Sequence, residues 1–351
     1  MSSIGSVSAF DTLRNLKRVD LAHLPTPIEP LDRLSAALGG PRIWVKRDDC
    51  TGLATGGNKT RKLEFLLADA QLKNADTVIT VGAIQSNHAR QVAAGCARLG
   101  FRCVLVLLDA VPHRAPVYRV LGNVLLDRLF GAEIRIVPEA ENVGAVLDTI
   151  AGEMREQGRH PYVIPLGGSN GLGAIAYATA FLEAAEQLKE LDDPPEIIVL
   201  PTVSGGTLAG LTLGAALAGW SGKIVGICAG DNAERAVQRV RAPQHAAAEI
   251  LGLDSNDVAE IPVVVDDRFV GEGYGIPTLQ SVQAIELLAR TEGLLLDPVY
   301  TSKAMAGLCA LVREHHFDPS VQSLLFWHTG GTVALHAYPD IFPTKNGSIE
   351  T

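Results

Sequence analysis

Residues Arg47 to Ala70 read Arg-Asp-Asp-Cys-Thr-Gly-Leu-Ala-Thr-Gly-Gly-Asn-Lys-Thr-Arg-Lys-Leu-Glu-Phe-Leu-Leu-Ala-Asp-Ala, with Lys59 at the centre. Leu63, Leu66, Leu67 and Ala70 fall at i, i+3, i+4 and i+7, which predicts a helix with one buried face that begins at Lys59. Gly56 and Gly57 open backbone angles closed to other residues, and Asn58 is a favoured N-cap type. An ammonium at the positive end of a helix is destabilised as a cation, so its pKa falls toward that of a usable amine. Two readings follow: an amine nucleophile that condenses with an aldehyde, or a solvated lysine beside Arg61 and Lys62.

Working outward, Ile43 to Lys46 reads as a strand feeding this loop. Apolar strand-like runs then alternate with helical patterns: Thr77 to Val81, Cys103 to Leu108, Glu133 to Val137 and Tyr162 to Ile164. The rhythm resumes at Ile197 to Leu200, Ile224 to Cys228, Ile261 to Val265 and Leu324 to Trp327. No hairpin signal intervenes, so the expected class is α/β, with open parallel twisted sheets and flanking helices. Gly-rich Leu166 to Gly171 marks a crossing between two domains. Residues 1 to about 20 read as an arm or short helix.

The 351 residues carry a net charge of −9, which argues against a nucleic-acid footprint and for a small substrate. The five cysteines, Cys50, Cys96, Cys103, Cys228 and Cys309, are scattered without a CxxC pair. Buried reduced thiols are expected, with neither a metal site nor a disulfide framework. The longest apolar run, around Leu208 to Trp220, is shorter than a bilayer requires, and Met1 to Phe10 lacks the pattern of an export signal. The expectation is a cytoplasmic enzyme that does not enter a membrane.

A second motif answers the lysine. The strand ending at Leu200 runs into Pro201-Thr202-Val203-Ser204-Gly205-Gly206-Thr207, after which Leu208, Leu211 and Ala215 mark a helix face. A turn of small residues at a helix N-terminus presents free N–H groups to an anion, and Ser204 and Thr207 add hydroxyls. The plain alternative is a tight βα turn. The spacing fits neither GxGxxG nor GxxxxGK[ST], so a dinucleotide or ATP is not supported. A phosphorylated aldehyde satisfies Lys59 and this loop together. Gln85-Ser86-Asn87-His88 opens another helix, where Ser86 and Asn87 either receive a substrate carboxylate or simply cap. His88 is a candidate for support behind them.

Gly56-Gly57-Asn58-Lys59-Thr60-Arg61-Lys62-Leu63-Glu64 resembles the cofactor-lysine motif of the enzymes that include 1-aminocyclopropane-1-carboxylate deaminase, D-cysteine desulfhydrase and L-cysteate sulfo-lyase. Pro25-Thr26-Pro27, Gln85 to His88, Ser204 to Thr207, Gly273-Tyr274-Gly275, Asp297 to Tyr300 and His328-Thr329-Gly330-Gly331 recur in the same order, from about Leu21 to Tyr338. The resemblance implies the tryptophan synthase β-like architecture, fold type II. It implies a large domain of 1–60 with 167–351, a small inserted domain of 61–166, and a homodimer. It implies pyridoxal 5′-phosphate on Lys59, held by Asn58, Asn87, Ser204, Gly205, Gly206, Thr207 and Thr329. Lys59, Ser86, Tyr274 and Tyr300 would be catalytic, and Gln85, Ser86, Asn87, His88 and Tyr274 would meet the substrate.

The chain departs from the deaminase pattern at two positions. Where the deaminase has Tyr-Glu, Tyr300 is followed by Thr301, and Thr329 replaces a leucine. A carboxylate keeps a pyridine protonated and makes it a strong electron sink, whereas a hydroxyl leaves it weaker. The expectation is therefore α,β-elimination from a sulfur-bearing three-carbon amino acid to pyruvate and ammonia. D-cysteine with release of sulfide comes first, and L-cysteate with release of sulfite is the alternative. Deamination of 1-aminocyclopropane-1-carboxylate, racemisation, β-replacement and non-catalytic amino-acid binding stand behind these. His113 and Arg114, in the loop after Leu108, are candidates for meeting a sulfonate.

Overall fold

The computed structural model describes residues 7–112, 115–139, 142–316 and 318–342. Among the described residues ten strands form two sheets. The larger contains β1 (Ile28–Pro30), β2 (Arg42–Lys46), β7 (Ile197–Thr202), β8 (Lys223–Cys228), β9 (Val264–Asp266) and β10 (Ser323–Trp327) in the order β1-β2-β10-β7-β8-β9. The smaller contains β3 (Thr77–Ala83), β4 (Arg102–Asp109), β5 (Glu133–Pro138) and β6 (Pro161–Ile164) in the order β5-β4-β3-β6. Every pairing is parallel except β1 with β2, an antiparallel edge that the sequence reading lacked. The three residues Ile28–Pro30 carry no readable alternation, and prolines suit an edge.

Both faces of the large sheet are covered, as parallel sheets require. Ile198, Leu200, Leu325 and Trp327 point to one face, against the helices Gly171–Leu188, Gly206–Ala218 and Ala233–Leu251. Ile197, Val199, Leu324 and Phe326 point to the other, against Leu279–Glu292 and Thr301–Arg313. In the small sheet, Val78, Leu105 and Leu107 meet the helices Lys59–Leu72 and Asn87–Leu99, while Ile79, Val81, Val104 and Val106 meet Val143–Glu156. The N-terminal arm holds a helix, Val7–Asn15, anchored by buried Ala9.

The cysteine expectation needs one correction. All five are free, but Cys50 is exposed, because it ends a short 3₁₀ turn, Asp48–Cys50, that leaves β2 at the surface. Among the described residues no helix is long and apolar enough to cross a membrane.

Candidate active site

Parallel strands all end on one side, and the segments that follow β3, β4, β5, β7 and β10 surround one cavity. Its wall includes Lys59, Ser86, Asn87, Ser204, Thr207, Tyr274, Tyr300 and Thr329, together with Asn58, His88 and Gly205. Sites at the carboxyl ends of strands follow from this topology, because there the chain is free to loop while the sheet holds it.

Lys59 is the first residue of its helix, as the periodicity predicts. Burial pushes its amine down to about 8, and the Asp297 carboxylate works in the opposite direction. Enclosure in the protein is thus the main cause of the shift, in place of the helix-end effect argued from sequence. Asn58 also differs from expectation. Its side chain does not cap the helix; its Nδ2 donates to Thr207 Oγ1 at 3.0 Å. Its backbone N–H donates to the Thr329 carbonyl at 3.0 Å. One residue therefore joins the lysine loop to the turn after β7 and to the segment after β10.

Ser86 does cap its helix, accepting from the Ala89 N–H at 3.1 Å, and it lines the cavity as well. The Asn87 amide orientation is set from behind: its Oδ1 accepts from Arg90 Nη1 at 3.2 Å and from Asn123 Nδ2 at 3.0 Å. Its Nδ2 is left as the group free to donate toward the cavity. His88 lines the cavity, but Nε2 pairs with Thr80 Oγ1 at 2.9 Å. Burial, then the nearby Lys59 and Lys62, hold its pKa well below the ordinary histidine value, so it is neutral. Gln85 does not line the cavity. Its amide donates to the Tyr118 and Leu121 carbonyls and accepts from the Asn123 N–H. It braces the 118–123 segment because it sits one residue before the cap and faces away.

Tyr274 and Tyr300 meet hydroxyl to hydroxyl, with ring centroids 5.8 Å apart. Burial raises both phenols above their ordinary value, so both are protonated at neutral pH. The pair holds two protons, and its mutual hydrogen bond uses one. The other is available to the cavity.

Two residues that the sequence reading did not assign to the site complete the anion seat. Lys62, one turn after Lys59, is buried and donates to the Gly167 carbonyl at 3.0 Å and to Ser169 Oγ at 3.4 Å. Ser169 Oγ in turn reaches Ser204 Oγ at 2.9 Å and accepts from the Gly206 N–H at 3.2 Å. Gly206 does not line the cavity itself. A Cβ on it would fall 2.9 Å from Lys62 Nζ and 2.6 Å from Ser169 Oγ, so the amine lies directly against the turn. Burial and the neighbouring Lys59 hold the Lys62 pKa well below its ordinary value. Among the described residues Lys62 makes no salt bridge, and an anion on the Ser204–Thr207 turn would favour its protonated form. The i, i+3 spacing from Lys59 was the available signal. These residues fit a phosphorylated aldehyde: an amine of lowered pKa at one end, hydroxyls, N–H groups and a second amine at the other. His113 and Arg114 lie outside the described residues.

A family model described as pyridoxal-phosphate dependent enzyme matches residues 19–330. The chain is 41% identical over 338 residues to a 1-aminocyclopropane-1-carboxylate deaminase of Burkholderia vietnamiensis, covering 94% of this chain and 98% of that one. It is 42% identical over 330 residues to a D-cysteine desulfhydrase of Klebsiella pneumoniae, again covering 94% and 98%. Among solved structures, an ACC deaminase homologue superposes with a TM-score of 0.85 at 37% identity, covering 95% of this chain and 98% of that one. An O-ureido-L-serine synthase at 17% identity and a TM-score of 0.66 shares the fold. With nearly its whole length matched, and with an amine and an anion seat arranged for the cofactor, this chain belongs to the pyridoxal-phosphate dependent enzymes.

Proposed function

We propose that this enzyme catalyses α,β-elimination of D-cysteine to sulfide, pyruvate and ammonia. The observation that carries the reading is the hydroxyl of Thr329 in the cavity wall, with no carboxylate contributed by the Tyr300-Thr301 segment. Thr301 is spent elsewhere: its Oγ1 donates to Asp297 Oδ1 at 2.7 Å and accepts from the Asp297 N–H at 2.7 Å. When bound, pyridoxal phosphate supplies an electron sink for negative charge at Cα. A hydroxyl at Thr329 in place of a carboxylate would leave that sink moderate, enough to expel a thiolate but ill suited to opening a cyclopropane.

The chain's own residues divide the remaining work. The Lys59 amine takes the Cα proton, since its lowered pKa leaves a large neutral fraction near pH 8. The helix start at Ser86 and Asn87 receives the substrate carboxylate. Tyr274 and Tyr300 hold the proton that meets the departing sulfur. The Cα–H and Cβ–S bonds break, and the 2-aminoacrylate formed hydrolyses in water to pyruvate and ammonium.

Among the described residues the charged groups on the cavity wall are Lys59 and Glu139. A second reading, deamination of 1-aminocyclopropane-1-carboxylate, is favoured by the 41% identity to the Burkholderia enzyme. The test is a panel of D-cysteine, L-cysteate, β-chloro-D-alanine and 1-aminocyclopropane-1-carboxylate, assayed for keto acid, sulfide and sulfite. Sulfide and pyruvate from D-cysteine, lost in Lys59→Ala, are expected. Turnover of the cyclopropane substrate with none of D-cysteine overturns the proposal.

A further inference from the structure

Lys303 stands three residues after Tyr300 in the helix Thr301–Arg313, and it is fully buried. Its Nζ donates to the carbonyls of Val270 at 2.7 Å, Gly273 at 2.8 Å and Ala229 at 3.3 Å. Among the described residues it makes no salt bridge. Burial pushes its amine down to about 8, while Cys228 and Asp297 work the other way, so the group is predominantly charged at neutral pH. Three carbonyl oxygens from two separate loops thus converge on one positive charge. With that charge removed, their partial negative ends would face one another in a dry space, unpaired.

Two of the carbonyls, those of Val270 and Gly273, belong to the segment that carries Tyr274. Gly273 precedes the tyrosine directly, and Gly271, Gly273 and Gly275 all have positive φ. Such a segment has little intrinsic stiffness. Its own backbone bonds are long: Val270 to Asp267 at 3.3 Å and Ile276 to Gly273 at 3.4 Å. The ammonium supplies the short contacts. Tyr300 is the residue just before the helix that bears Lys303, and its hydroxyl is the partner of Tyr274. One buried cation therefore ties the loop of one phenol to the helix of the other.

We propose that Lys303 is a positioning residue that acts as a built-in monovalent cation, holding loop 270–275 so that Tyr274 meets Tyr300. Cutting the side chain back would leave a carbonyl-lined site for an ion of similar size and charge, potassium, rubidium or ammonium. Carbonyl oxygens replace the water shell of such ions well. The functional part of this inference rests on the reading of Tyr274 and Tyr300 as site phenols; the ion site does not.

The test uses the cofactor-loaded full chain as wild type, Lys303→Ala and Lys303→Met, each dialysed into choline chloride and then into rubidium chloride. Bound rubidium is counted by mass spectrometry, melting is followed in both salts, and keto-acid formation is measured. Lys303→Ala is expected to bind about one rubidium per chain and to melt higher in rubidium than in choline, since a ligand of the folded state stabilises it. Its turnover is expected to fall at least about tenfold in choline, as misplacement of a reacting group predicts, and to recover in rubidium or potassium. Wild type should bind none and respond to neither salt. Lys303→Met fills the space and should stay impaired in every salt. A folded Lys303→Ala without rubidium, a variant that fails to fold in all salts, or a wild type that itself requires the ion overturns the proposal. Rubidium bound to a variant whose wild-type parent yields no keto acid from any substrate would leave the ion site standing and remove the elimination reading instead.

Discussion

Arg61, in the first turn of the lysine helix, grips Asp48 through Nε at 3.0 and 3.1 Å and Nη2 at 2.9 Å. The same carboxylate accepts from Thr26 Oγ1, the Tyr177 hydroxyl and Trp327 Nε1, at 2.8, 2.7 and 2.8 Å. Burial pushes the Asp48 carboxyl up, but Arg61, Lys46 and the Tyr177 hydroxyl together outweigh it and hold the group below its ordinary value. Arg61 also reaches Glu183 at 2.9 Å from the helix Gly171–Leu188. The helix that presents Lys59 is therefore bolted to the end of β10 and to the helix layer of the large sheet. A shift of Arg61 would move the reactive amine.

Replacing Asp48 with Asn is expected to cost about 3–5 kcal/mol at neutral pH, the usual penalty for breaking a buried pair from one side. Urea unfolding measures it. Because the folded carboxyl lies below the ordinary 3.8, the unfolded state binds protons first as pH falls. The stabilisation is complete above the ordinary value and fades as pH drops through the folded one. The gap between wild type and Asp48→Asn should narrow in acid; an equal gap at pH 3 and pH 7 contradicts this account.

The same network shows where sequence reading stops. Lys59, Ser86 and the Ser204–Thr207 turn were legible because each combines strand end, small residues and helix start within a few positions, and local chemistry is written locally. Most strands were legible because two-sided burial makes them apolar runs, but β1 carried no such run and the expected strand Ile261 to Val265 forms only over Val264–Asp266. Asp48, by contrast, meets Trp327 across 279 positions of chain, and nothing in Arg-Asp-Asp-Cys marks which aspartate is buried. Asn58 was misassigned for the same reason: cap chemistry is local, whereas its partner Thr207 lies 149 residues on. Lys62 and Ser169 became visible only once the lysine helix, the Gly167 segment and the turn after β7 stood together.

The Asn58 to Thr207 bond should therefore behave as one unit. Either Asn58→Ala or Thr207→Val is expected to weaken cofactor affinity by about tenfold, the worth of one buried hydrogen bond. The double variant should be far less than additive, as for residues in contact. Titration of the apo-protein with pyridoxal phosphate, read by fluorescence, checks it. Full additivity would mean that each side chain meets the cofactor alone.

The phenol pair predicts a different pattern. In Tyr274→Phe or Tyr300→Phe the surviving hydroxyl keeps its proton and loses only its partner. Each single variant should lose less than the double variant, which is expected to fall by about 10²–10⁴, the range for removing a general acid. The visible spectrum of the bound cofactor should be unchanged in all three. Keto-acid release under saturating substrate provides the measurement, and a single variant as slow as the double would show that one phenol does the work alone.

Lys59 itself gives a pH prediction. Cofactor attachment needs the neutral amine, and the apo-protein holds that amine at about 8. The rate of the visible absorbance change on adding pyridoxal phosphate should rise with pH and reach half its plateau near pH 8, against about 10.4 for an unperturbed lysine. Asp297 is the charge that raises the Lys59 pKa, so Asp297→Asn should shift the midpoint to lower pH. That variant keeps one oxygen to accept from the N–H groups of Val299, Tyr300 and Thr301, which now share the carboxylate at 2.8 to 3.0 Å. A wild-type midpoint above pH 9, or an upward shift in Asp297→Asn, would mean that the amine is not set by the burial and charge described for it.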